Sequence, residues 1–152
     1  MYCLEAVVGS ELVLRELAWG THLVPLSGEL WLLPVTDFAV VPRVVGELPG
    51  FWKAPDGAGA VLAACSGAGP VAYVEAEYFG GVGQQAAQVW DGGAVVLGPL
   101  WLGMGSPLPA AGGPISRALR RLGVVKGEHF DEFDAVGLGR RRRTGDWLPV
   151  GA

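Results

Sequence analysis

The chain has 152 residues, of which 51% are hydrophobic and 17% charged, a balance that excludes a disordered or fibrous chain and is enough for one domain to bury a core. The formal net charge is −4, and no run reaches the roughly 18 uninterrupted apolar residues that a membrane-spanning helix needs. Charge is uneven: residues 1–113 carry ten acids against three bases, and residues 114–152 carry five acids against eight bases. An acidic body of this kind favours a basic protein partner and disfavours broad nucleic-acid binding.

The start, MYCLEAVV, has no basic n-region and places Glu5 where a signal peptide is apolar, so a cytoplasmic protein is expected. Cys3 and Cys65 have no metal-ligand spacing and read as buried thiols outside a disulfide. The 25 glycines and 11 prolines fall between apolar runs, as punctuation for many short elements.

Residues 2–8 alternate as a strand closed by Gly9-Ser10, whereas Leu12 to Trp19 fits helical and strand spacing equally. His22 to Leu26 and Glu29 to Val35 flank Ser27-Gly28, a two-residue hairpin turn, with Pro25 and Pro34 at an edge or at strand ends. Thr36-Asp37 suits a helical cap. Asp56 reads as the N-cap of a short helix around 56–66.

Residues 71–98 predict a three-strand meander. If Gly80, Gly81, Val82 and Gly83 form the connection, Phe79 lies opposite Gln84, Ala76 opposite Ala87 and Val74 opposite Val89. On the other face Glu75 meets Gln88, Tyr73 meets Trp90 and Glu77 meets Ala86. This is the alternation of a half-buried sheet, apolar on one side and mixed on the other. Asp91-Gly92-Gly93-Ala94 turns into a third strand, Gly-Gly accepting the positive φ of a type I′ turn, and Val96 falls beside Val89. Residues 99–113 read as a Pro/Gly-rich connection. A helix around 114–122 follows, with Pro114 in its first turn, Ile115, Ala118, Leu119 and Leu122 on one face, and Gly123 as its stop. The expected fold is a single α+β domain over 1–152, a mostly antiparallel sheet with about two helices.

Candidate chemistry is sparse. Gly81, Gly83 and Ala86 match G-x-G-x-x-A after a strand, but the segment turns at Asp91 where a dinucleotide loop must open a helix. Glu75 and Glu77, roughly 7 Å apart on one strand face, suit a metal or an acid/base pair, with Gln84 and Gln88 as hydrogen-bonding neighbours. The plain alternative is a solvated face, against which stand the aromatics Tyr73, Phe79 and Trp90. GEHFDEFD at 127–134 gathers Glu128, His129, Asp131, Glu132 and Asp134, yet lacks EF-hand order and has one histidine. It is expected to be a solvated loop anchored by Phe130 and Phe133. Arg140 to Arg143 read as a phosphate or acidic-partner clamp, or as a charged surface balanced by the DEFD acids. There is no P-loop and no G-x-S-x-G, and His22 and His129 lack evident partners in sequence.

The combination AYVEAEYFGGVGQQAAQVW, ISRALRRLGV and DEFDAVGLGR resembles a group of small, mostly uncharacterised bacterial proteins common in actinobacteria, over residues 72–90 and 115–140. Compact α+β proteins of this style are similar to immunity proteins of polymorphic-toxin systems, an analogy of architecture. The leading expectation is a non-enzymatic protein-binding module, immunity-like, docking Tyr73, Glu75, Glu77, Gln84, Gln88 and Trp90 on a basic partner, with no catalytic residue, metal or cofactor. The rivals are a small metal-assisted hydrolase joining Glu75 and Glu77 to the 128–134 cluster, and a homodimeric assembly module suggested by a mean hydropathy of +0.38.

Overall fold

A computed structural model describes residues 1–17, 22–35, 51 and 57–149. Its strands are β1 (Tyr2–Gly9), β2 (Val24–Pro25), β3 (Trp31–Pro34), β4 (Val71–Phe79), β5 (Val82–Asp91) and β6 (Ala94–Leu102). They form one antiparallel sheet in the order β2-β3-β1-β4-β5-β6. The helices are α1 (Glu11–Arg15), α2 (Ala58–Cys65), α3 (Pro114–Arg121) and α4 (Glu132–Val136). The expected α+β class therefore holds. Among the described residues no helix is long and apolar enough to cross a membrane.

The β4–β5 hairpin turns on two residues, Gly80 and Gly81, at φ 61° and 83°, so Phe79 pairs with Val82. Val74 meets Ala87, Glu75 meets Ala86, Tyr73 meets Gln88 and Glu77 meets Gln84. The four-residue connection expected from sequence is thus corrected by two positions. A two-residue shift preserves side-chain parity, so the division of faces stands. Gly83 belongs to the strand, where a Cβ would run into the Glu77 carbonyl. Gly92 and Gly93, at φ 61° and 87°, make the second turn as predicted. β6 runs on through Pro99 to Leu102, into the stretch predicted as a connection, because an edge strand tolerates a residue without an N–H. An irregularity next to Val89 pairs that residue with Leu97 in place of Val96.

Both faces of the sheet are covered. Leu4, Ala6, Val8, Val74, Ala76, Ala87 and Val89 pack beneath Ile115, Ala118 and Leu119 of α3 and Val136 of α4. Val7, Val71, Tyr73 and Trp90 pack beneath Val13 and Leu14 of α1 and Leu62 and Cys65 of α2. The half-buried sheet with a mixed outer face is corrected accordingly. The ambiguous segment after Ser10 becomes helix α1, because the Ser10 hydroxyl accepts from Val13 N at 3.2 Å and caps its first turn. The hairpin of β2 and β3 closes over three residues, Ser27, Gly28 and Glu29, with Leu26 N donating to Leu30 O at 2.8 Å. Gly28 and Glu29 both have positive φ, 81° and 66°, which a two-residue Ser27-Gly28 turn would not place there. Thr36-Asp37 and the Asp56 cap lie outside the described residues. Neither cysteine is in a disulfide; Cys65 is buried and Cys3 half-buried.

The acidic cluster is not wholly a loop. Asp131 caps α4, accepting from Asp134 N at 2.8 Å, and this turn buries Glu132, which Arg120 of α3 meets at 3.3 Å. Phe133 packs edge-on against Tyr2 with ring centres 5.6 Å apart, whereas Phe130 is 81% exposed and anchors nothing inward.

β3 pairs with Ala6 to Gly9 and Val35 N still donates to Glu5 O at 2.9 Å, which leaves the β1 edge open at its start. The C-terminal segment takes part of it in parallel: Cys3 N donates to Arg142 O at 2.8 Å and Glu5 N to Thr144 Oγ1 at 3.0 Å. The Thr144 hydroxyl returns a hydrogen bond to the Glu5 carboxylate.

Candidate functional site

The six residues of the expected recognition face divide by depth. Tyr73, Glu75, Gln88 and Trp90 are all at most 4% exposed, and Glu77 and Gln84, directly opposite each other near the hairpin, are half-buried. The Tyr73 hydroxyl donates to Glu75 Oε1 at 2.9 Å, and its ring meets Phe51 edge-on at 5.2 Å. Burial, reinforced by the Glu75 charge and hydrogen bond, holds the Tyr73 phenol well above its ordinary pKa. Gln88 Oε1 is buried without a hydrogen-bond donor among the described residues. This face is an interior layer beneath α1 and α2.

Glu75 and Glu77 also lie across the sheet from the 128–134 cluster, whose helix α4 packs on the other core. Among the described residues no group of three or more His, Cys, Asp or Glu is placed to hold a metal ion. His129 meets Asp134 at 3.1 Å on the exposed side of α4. Of the four arginines, Arg140 braces the fold: its Nε donates to Gly137 O and its Nη2 to Pro25 O, both at 3.1 Å, and its guanidinium lies 5.5 Å from the Trp147 ring centre.

The arrangement with chemical potential lies at the other end of the apolar face. A cavity of about 410 Å³ opens where the start of β1, the end of β4 and the start of β5 meet the first turns of α3 and α4. Ala76 is a small residue in its lining, and Tyr2, Tyr78 and Phe133 bring aromatic surface. Gln85 reaches up from β5 to organise the opposite wall, its Oε1 accepting from Ile115 N at 2.9 Å and its Nε2 donating to the Tyr78 hydroxyl at 2.8 Å. It supplies an acceptor that α3 lacks locally, because the N-cap is Gly113. A Cβ at Gly113 would lie 2.9 Å from Gln85 Oε1, so glycine permits this close approach.

Several polar groups in the lining retain hydrogen-bonding capacity. The Tyr78 oxygen accepts from Gln85, and its own proton has no acceptor among the described residues. Ser116 is 5% exposed and its hydroxyl bonds to no described residue. Arg142 is exposed and makes no ion pair with a described residue. The Tyr2 hydroxyl is committed to Leu138 O at 2.9 Å, and burial raises its pKa. Asp131 is the second charged residue of the lining, turned through Oδ1 to its own helix.

Of these lining residues, sequence reasoning points to Arg142, within the Arg140 to Arg143 clamp, and to Asp131, within the acidic cluster, and misses Tyr2, Tyr78, Gln85 and Ser116. The signal was the end of the apolar face of β4 and β5, where Tyr78 and Gln85 replace aliphatic residues at positions of the same parity as Ala76 and Ala87. The chain matches no family model, no curated protein and no solved structure.

Proposed function

We propose that this chain is a non-enzymatic binding protein and that the cavity between β1, β4, β5 and the starts of α3 and α4 is its site for a small molecule with an apolar body. The observation that carries this reading is the cavity itself: about 410 Å³, within the range of small-molecule sites, with aromatic walls and a few convergent polar groups. Its one nucleophile of the serine or cysteine type is Ser116, neither described histidine lines it, and its one carboxylate, Asp131, is engaged through Oδ1 as the cap of α4. Titration with 1-anilinonaphthalene-8-sulfonate, followed by amide NMR shifts, tests the reading. Saturable shifts centred on Ala76, Tyr78, Ile115 and Phe133 are expected. Saturable shifts confined to other surfaces, or no saturable binding, refute it.

A second reading, the protein-binding and immunity-like module, is favoured by exposed apolar residues in the cavity lining and next to it in sequence: Leu108, which lines it, is 59% exposed, and Phe130, which precedes Asp131, is 81% exposed. Such residues around a recess suit a partner that inserts an anchor side chain. Capture from the native host by the parent chain, lost in a Leu108→Ser, Phe130→Ser variant, supports this reading, and capture unaffected by the pair removes it.

A further inference from the structure

We infer that the cavity is selective for a ligand whose apolar body ends in a carboxylate, with Arg142 as the ionic partner and Tyr78 and Ser116 as hydroxyl donors; this rests on the small-molecule reading above. The inference comes from which hydrogen-bonding roles are still open. Guanidinium nitrogens only donate. Tyr78 already accepts from Gln85, so what it offers is its proton. Ser116 is nine-tenths buried, lines the cavity and has no partner among the described residues, so its hydroxyl is available to a ligand oxygen. Three donors therefore await acceptors in a setting that is otherwise largely apolar.

Charge narrows the class further. The charged residues of the lining are Arg142 and Asp131, one of each sign. Asp131 already spends Oδ1 on Asp134 N at 2.8 Å. A dianion would exceed the positive charge available, whereas a monoanion can pair with Arg142, whose planar guanidinium matches the two oxygens of a carboxylate. Tyr2, Phe133 and Ile115 then receive the apolar body.

Three congeners that share a body and differ in the head test this: 3-phenylpropionate, 3-phenylpropionamide and 3-phenylpropylamine, each titrated by calorimetry and amide NMR. The acid is expected to bind on the order of tenfold more tightly than the amide and the amine. Arg142→Ala should weaken the acid more than the amide and so erase that preference, and Tyr78→Phe should reduce it. Arg142→Ala keeps the backbone carbonyl that accepts from Cys3 N, and circular dichroism of the variant checks its fold. Equal or tighter binding of the amide or amine, or an unchanged Kd of the acid in Arg142→Ala, overturns the carboxylate inference and leaves the small-molecule site standing. If no congener shifts the cavity resonances, both fall.

Discussion

Gln85→Ala should destabilise the protein by more than an ordinary half-buried polar truncation. Gln85 Oε1 accepts from Ile115 N at 2.9 Å, and that N–H belongs to the first turn of α3, where no intrahelical acceptor exists. Ile115 is 1% exposed, and Gly113 has no side chain to substitute. Loss of a capping acceptor costs about 1 kcal/mol. Nε2 also donates to Tyr78 at 2.8 Å, a second bond whose net loss adds about 0.5–1 kcal/mol. The expected total is about 1.5–2 kcal/mol, a fall in Tm of roughly 3–8 °C for a chain of this length. Gln85→Glu is the informative control. It retains an acceptor for Ile115 N and sets a negative charge at the start of a helix, and the Tyr78 hydroxyl can turn to donate to it, so a loss within about 0.5 kcal/mol of the parent is expected. Urea unfolding followed by circular dichroism measures both, read as a change in midpoint at constant m. Gln85→Ala within about 0.5 kcal/mol of the parent, or Gln85→Glu as unstable as Gln85→Ala, would refute the capping role.

Four further outcomes follow from the buried groups. Tyr73→Phe removes a buried hydrogen bond to Glu75 and should cost about 1–3 kcal/mol in urea unfolding. Because Tyr73 and Tyr2 have raised pKa values when folded, the unfolded chain releases their protons first, so stability falls as pH rises above about 10, and Tyr73→Phe should flatten that alkaline slope. Burial disfavours the charged Glu132 carboxylate, but hydrogen bonding to Arg120 and its charge outweigh this and leave the pKa below the ordinary Glu value of 4.5. That stabilisation is present above pH 4.5 and is lost as pH falls through the lower folded value. Arg120→Ala should therefore cost about 1–2 kcal/mol near neutrality, discounted for the half-exposed arginine, and adding Glu132→Gln should recover part of it; no recovery in the double variant would count against the pairing. Burial, with Glu16 nearby, raises the Cys65 thiol from 9.0 to about 11. Native Cys65 at pH 8.5 should hold on the order of a hundredfold less thiolate than in the unfolded chain, so alkylation should be slow until denaturant is added.

The meander was legible in sequence because parity survives an even error. Placing Phe79 opposite Gln84, where the fold pairs it with Val82, still left Val74 with Ala87 and Val89, and Tyr73 with Gln88 and Trp90. Whether the mixed face met water was not legible. That depended on α1 and α2, distant in sequence from β5, laying Val13, Leu14 and Leu62 over Tyr73 and Trp90. A glutamate and a glutamine at alternating positions carry the same local pattern whether buried or solvated. Only the tertiary partner, such as the Tyr73 hydroxyl on Glu75, distinguishes the two.

The cavity was hidden for a different reason: its lining is drawn from Tyr2 to Arg142, and each residue has an ordinary local role. Tyr2 alternates in a strand, Ser116 sits on a helix, and Arg142 belongs to a basic run. What converts that run into two functions is a mismatch of strand lengths. β1 has eight residues and β3 four, so the edge at Cys3 and Glu5 is left for the C-terminal segment. Once Arg142 O has accepted from Cys3 N and Thr144 from Glu5 N, the chain there is held in register. Arg140 then braces Pro25 and Trp147 on one side, while Arg142 lines the cavity beside Tyr2. Lengthening β3 to pair with all of β1 would compete with this segment, so the proposed ionic partner depends on β3 ending where it does.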